Sequence, residues 1–68
     1  MIILVSGERR KIPEVTTVGQ LLVLENVEMP EYVSVSVNEQ FVQKDAFGAT
    51  VLHDGDVVEF LYYMGGGQ

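Results

Sequence analysis

The sequence predicts an α+β domain: a mixed sheet of four or five strands packed on one main helix. Three observations carry that prediction. Tyr32-Val33-Ser34-Val35-Ser36-Val37 alternates apolar and polar residues with the period of a half-buried strand. Thr17-Val18-Gly19-Gln20 has the pattern of a helix N-terminus and is followed by the apolar run LLVLENV. Val57 through Tyr63 forms a final β-rich segment, apolar on both of its faces.

The remaining elements follow in chain order. Ile2 to Val5 is a β-rich apolar run, and Ser6-Gly7-Glu8 supplies turn chemistry. A second strand is expected over residues 10–14, completing a hairpin. Pro13 inside that strand demands an edge position, because proline cannot donate to a ladder. The helix is expected over residues 18–26, with Thr17 as N-cap and Gln20 reaching back to its amide. Val18, Leu21 and Leu22 then fall on one stripe facing the sheet. Gly19 is unfavourable in a helix, and close packing in the first turn would explain it. Met29-Pro30-Glu31 is expected to stop this segment.

After the alternating strand, Asn38-Glu39 turns the chain into a short strand at residues 40–43. Residues 44–50 suggest one helical turn broken at Gly48, and Val51-Leu52 returns to the core. His53-Asp54-Gly55-Asp56 reads as a tight turn in which Gly55 takes a positive φ. In the last strand Val58, Phe60 and Tyr62 share one face. Val57, Glu59, Leu61 and Tyr63 share the other. One helix covers one face of the sheet. Val57, Leu61 and Tyr63 are therefore expected on an uncovered face, as a partner-docking surface.

Composition narrows the function. The 68 residues fit one small domain, and 47% apolar content with two prolines argues for a folded chain. There is no cysteine, which removes disulfides, thiolate metal sites and a nucleophilic thiol. Ten acidic residues against four basic ones give a net charge of −6. That balance disfavours nucleic acid and favours an electropositive protein partner. No apolar run approaches the ~20 residues that span a bilayer. The N-terminal MIILVSGERRK places its apolar run ahead of its charges, the reverse of a signal peptide. A soluble, cytoplasmic protein is expected.

Catalytic chemistry is hard to find in these residues. His53 beside Asp54 and Asp56 reads as turn chemistry rather than as a metal site. Gly65-Gly66-Gly67 lacks the strand-to-helix context and the lysine of a phosphate loop. The chain is not expected to be an enzyme or to bind a cofactor itself. Yet three of its seven glycines stand together near the C-terminus, in YYMGGGQ. Glycine loses more backbone entropy on ordering than any other residue, so the run suits a thin arm reaching into a narrow channel. Residues 1–63 are accordingly read as the folded domain and 64–68 as a flexible tail. The reacting group on such an arm would be a main-chain carboxylate, activated by a partner.

Several segments, in order, resemble one family. Ser36-Val37-Asn38-Glu39 with Val42 is similar to its V-N-x-x-x-V strand-turn-strand. Leu52 with Asp54-Gly55-Asp56, Val58 and Glu59 is similar to its L-x-D-G-D-x-V-E element. Thr17-Val18 with Leu21-Leu22 is similar to its T-V-x-x-L-L helix start. With the glycines behind them, these segments resemble the ThiS sulfur carriers, within the ubiquitin-like β-grasp group that includes the small subunit of molybdopterin synthase.

The resemblance implies a role. An E1-like enzyme would use ATP to adenylate the C-terminal glycine carboxylate, here Gly67, with Gly65 and Gly66 threading its channel. A sulfur donor would convert the adenylate to a thiocarboxylate, which passes sulfur to a synthase such as thiazole synthase. Gln68 departs from the pattern, since it locks the Gly67 carboxyl into a peptide bond. A processing protease would have to remove it first. Relatives with masked tails also widen the acceptor to cysteine, homocysteine or methionine synthesis. Two other readings stay open: an interaction module with a passive tail, and a ubiquitin-like modifier attached to lysines.

Overall fold

The computed structural model describes residues 1–28 and 30–62. In chain order these form β1 (Ile2–Val5), β2 (Glu8–Lys11), α1 (Val18–Leu24), a 3-10 turn (Pro30–Tyr32), β3 (Val33–Val37), β4 (Gln40–Val42), a second 3-10 turn (Lys44–Ala46) and β5 (Val57–Tyr62). The five strands make one sheet in the order β2-β1-β5-β3-β4. The central pair β1 and β5 is parallel, and the other three pairings are antiparallel. A mixed sheet with one main helix on one face is the β-grasp arrangement expected above.

Both hairpins are set by their turns. Ser6 and Gly7 take φ of 50° and 86°, and Asn38 and Glu39 take 52° and 70°. Paired positive φ values give a primed two-residue turn, whose twist matches the flanking strands. The first turn therefore places Glu8 directly opposite Val5, and β2 starts at once. It ends at Lys11 opposite Ile2, so the strand lies earlier than the expected 10–14 and Pro13 falls beyond it. β2 does lie at the sheet edge.

The helix is fixed at both ends by local chemistry. The Gln20 amide donates to Thr17 Oγ1 at 3.1 Å, and the Thr17 amide donates to Gln20 Oε1 at 2.9 Å. This reciprocal capping box forms as the sequence indicated. The C-terminus departs from expectation. α1 ends at Leu24 because Asn26 takes the left-handed conformation, φ 56°. The Val27 amide bonds to the Leu22 carbonyl and the Asn26 amide to the Val23 carbonyl, both at 3.0 Å. That is a Schellman cap, and it stops the helix well before Pro30.

The stripe Val18, Leu21 and Leu22 is buried against Ile3 and Val5 of β1, Val33 and Val35 of β3 and Val58 of β5. Ile12 and Leu52 complete this core from the connections. Leu52 is drawn in by a 2.8 Å hydrogen bond from its amide to the Thr16 carbonyl. Val33 and Val35 lie inside and Ser34 and Ser36 opposite, which is the alternation read from the sequence.

Candidate functional site: the open sheet face and the end of the last strand

Because α1 covers one side of the sheet, the register decides what the other side presents. Leu4 pairs with Val57 in β5 and with Arg9 in β2. Ile2 pairs with Lys11, Ser36 with Glu59, and Ser34 with Leu61. Paired residues share a face. The open face thus carries a central apolar strip of Ile2, Leu4, Val57 and Leu61. Arg9 and Lys11 border it on one side and Ser34 and Ser36 on the other, while Glu59 lies within it on β5, between Val57 and Leu61. Val57 is 38% exposed and Leu61 57%, so the expected docking positions do stand in solvent. Tyr63, the third of them, lies outside the described residues.

Sequence reading placed Val57 and Leu61 here but missed their neighbours on β1. Ile2 and Leu4 sit in an unbroken apolar run, where the period that would assign them a face is lost. Arg9, Arg10 and Lys11 stand side by side in the sequence. The strand divides them: Arg9 and Lys11 face outward on the open side, while Arg10 points to the helix side. There Arg10 Nη2 meets Glu8 Oε1 at 2.7 Å and Nε meets Glu25 Oε2 at 3.2 Å. The hydrogen bond that Arg10 donates to Glu8, and then the charge of Glu25, raise the Arg10 pKa above its ordinary value.

The D-G-D segment is structural in its contacts. Asp54 Oδ1 accepts the Ile2 amide at 2.7 Å, and Gly55, at φ 88°, donates its amide to the Ile2 carbonyl at 2.8 Å. Asp56 accepts the His53 amide at 2.8 Å and the Asn38 side-chain amide at 3.0 Å. Asn38 in turn accepts the Val57 amide at 3.0 Å. The turn therefore locks the start of β5 to β1 and to the β3–β4 hairpin. His53 Nδ1 stays 3.9 Å from Asp56 Oδ2, beyond hydrogen-bond reach. Among the described residues, no three His, Asp or Glu side chains come together as metal ligands.

The far end of β5 is held differently. It pairs with β1 only at Val57 and Val58, but with β3 from Val58 onward, ending at the Val33–Tyr62 pair. Tyr62 is the last described residue. Gly65, Gly66, Gly67 and Gln68 follow it and lie outside the described residues, as does the expected boundary between domain and tail. The strip of the open face runs along β5 toward that point.

Comparison with known proteins decides the family. The ThiS family model matches residues 3–67. This chain belongs to the ThiS family. A crystal structure of the thiamine biosynthesis protein ThiS from Geobacter metallireducens superposes with a TM-score of 0.87 at 42% identity, covering 98% of this chain and 100% of that one. An NMR solution structure of a thiamine biosynthesis protein from the same organism gives 0.80 at 41% identity, covering 100% of this chain and 90% of that one. No curated protein sequence matches the chain. In the ThiS fold seen here, none of the described helices is long and apolar enough to cross a membrane.

Proposed function

We propose that this chain is a sulfur carrier, not itself a catalyst, whose reactive group is the carboxylate of Gly67. The observation that carries the reading is the extent of the ThiS match, which includes the three glycines and stops at Gly67, one residue short of Gln68. Removal of Gln68 by a peptidase frees the carboxylate. In the site of an adenylating partner, one carboxylate oxygen attacks the α-phosphorus of ATP and pyrophosphate leaves. A persulfide on a sulfur donor then attacks the carbonyl carbon and AMP leaves, so a C–S bond replaces a C–O bond. A thiol of the donor cleaves the resulting S–S bond, becoming part of a disulfide and leaving the thiocarboxylate on Gly67. Gly65 and Gly66 suit the channel because neither adds a Cβ.

Ile2, Leu4, Val57 and Leu61 are the docking strip in this proposal, with Tyr63 continuing it. A partner docked there sits beside the end of β5, the last described element before the glycines. The Geobacter relatives are thiamine biosynthesis proteins, which favours a thiazole-forming synthase as the acceptor. The cytoplasm, where ATP and reducing donors are at hand, is the fitting location.

The test is the intact mass of the protein isolated from its own cells. Loss of the glutamine residue with one oxygen exchanged for sulfur is the expected result. A mass that keeps Gln68 and gains no sulfur under thiamine starvation overturns the proposal and leaves a docking module with a passive tail.

A further inference from the structure

The side of the molecule opposite the open sheet carries a second apolar surface, and its backbone is strained to present it. Residues 13–16 form a tight turn. The Thr16 hydroxyl donates to the Pro13 carbonyl at 2.6 Å, and Thr16 is buried with its own carbonyl bound by Leu52. The turn holds Val15 at φ 64°, a left-handed conformation that β-branched residues strongly disfavour. Glycine or asparagine would adopt it readily. The strained side chain is not packed inside; it is 73% exposed.

Beside it, α1 turns Val23 and Leu24 outward, 75% and 52% exposed. A helix that buries Val18, Leu21 and Leu22 has no need of apolar residues on its far side. Val15, Val23 and Leu24, with Pro13, line a groove of about 410 Å³, room for more than one aliphatic side chain.

Charge indicates what fits there. Glu14 lines the groove, and across Val15 a second hollow is lined by Glu14, Asp54 and His53 together with Met1, whose ammonium is engaged by the Ile12 carbonyl at 2.8 Å. No lysine or arginine lines either one. The basic residues are elsewhere: Arg9 and Lys11 lie on the open sheet face, Arg10 is paired, and Lys44 donates to the Glu31 carbonyl. We propose that this face docks a protein segment that presents aliphatic side chains flanked by lysine or arginine. A second copy meeting face to face would set Glu14 against Glu14. Because the open sheet lies on the other side, both faces can be occupied together. The proposal stands independently of whether the tail carries sulfur.

The experiment titrates the full ¹⁵N-labelled chain with an amphipathic helical peptide of leucine and lysine, and with its counterpart carrying glutamate for lysine. Chemical-shift changes should centre on residues 13–16 and 20–24, and the lysine peptide should bind at least tenfold more tightly. Val23→Gln with Leu24→Gln should weaken binding at least tenfold, at positions too exposed to unfold the chain. Val15→Gly should raise the melting temperature by roughly 4 °C while weakening the lysine peptide at least threefold. Equal binding of both peptides, shifts centred on Ile2, Leu4 and Leu61, or full affinity in Val15→Gly would each overturn the proposal. So would self-association of the free chain through residues 13–24.

Discussion

The two halves of the open sheet face are built to different rules. On the β1–β5 half, Ile2, Leu4, Val57 and Leu61 stand in water around Glu59, and nothing in the described structure covers them. On the β3–β4 half the same face is serine at positions 34 and 36, with Glu59 across from Ser36, and aliphatic residues retreat to the helix side. Phe41 alone interrupts that pattern, at the rim on β4. A sheet covered on one side needs apolar residues on one side only. β3 obeys this; β1 and β5 exceed it. The surplus apolar surface on these strands is not required for folding, and it supports the docking role proposed for this face.

The sharpest way to break that comparison is to truncate neighbours within one strand. Ile3 is fully buried against α1, and Ile2 faces solvent. Ile3→Ala should cost about 2–4 kcal/mol in urea denaturation, through lost burial and the cavity left behind. A domain of this size has a total stability on the order of 3–5 kcal/mol, so the variant should be substantially unfolded. Ile2→Ala should cost under about 1 kcal/mol. Equal losses would mean that Ile2 is covered in solution, and the open face would lose its claim to be a docking surface.

A second prediction sharpens the comparison by function. Leu61→Ser should leave stability within about 0.5 kcal/mol, because the side chain is largely exposed and serine already stands opposite it at position 34. If the proposed docking holds, its affinity for the proposed adenylating partner should fall at least tenfold, the loss expected of an aliphatic anchor near the centre of an interface. Ser36→Ala, on the other half, should change affinity less than twofold. Isothermal titration of the three proteins decides it, and equal weakening by both variants would put the docking centre elsewhere.

What was legible in the sequence had local causes. Thr17 and Gln20 specify the helix start by themselves, and the valine–serine alternation specifies which side of β3 is buried. The Asp54-Gly55-Asp56 turn was legible as a turn, because Gly55 supplies the positive φ. The hidden features depend on partners distant in the chain. The left-handed Asn26 ends α1, but asparagine is common enough in helices that Pro30 offered the louder stop. The division of Arg9 and Lys11 from Arg10 needs the register of β2 on β1, which a one-residue shift would invert. Val15 was invisible as a strained residue because no local signal marks a valine for a positive φ. On the open face Val57 and Leu61 were legible, but not Ile2 and Leu4, whose face the parallel pairing with β5 assigns.

The smallest effect concerns a residue that both faces share no contact with. Gly19 sits in the first turn of α1, and close packing was the expected reason for a glycine there. Its amide does bond to the Phe47 carbonyl at 3.0 Å. A Cβ built on Gly19, however, would meet that same carbonyl oxygen at 3.6 Å and Phe47 Cβ at 3.8 Å, ordinary van der Waals distances. The hydrogen bond uses the backbone and survives the substitution, so packing does not require glycine. Gly19→Ala should therefore stabilise the domain by about 0.5–1 kcal/mol, through better helix propensity and a less free unfolded chain. The midpoint of urea unfolding should rise with an unchanged slope. A fall in the midpoint would show that the α1–Phe47 approach is tighter than 3.6 Å contacts allow, and would restore close packing as the reason for the glycine.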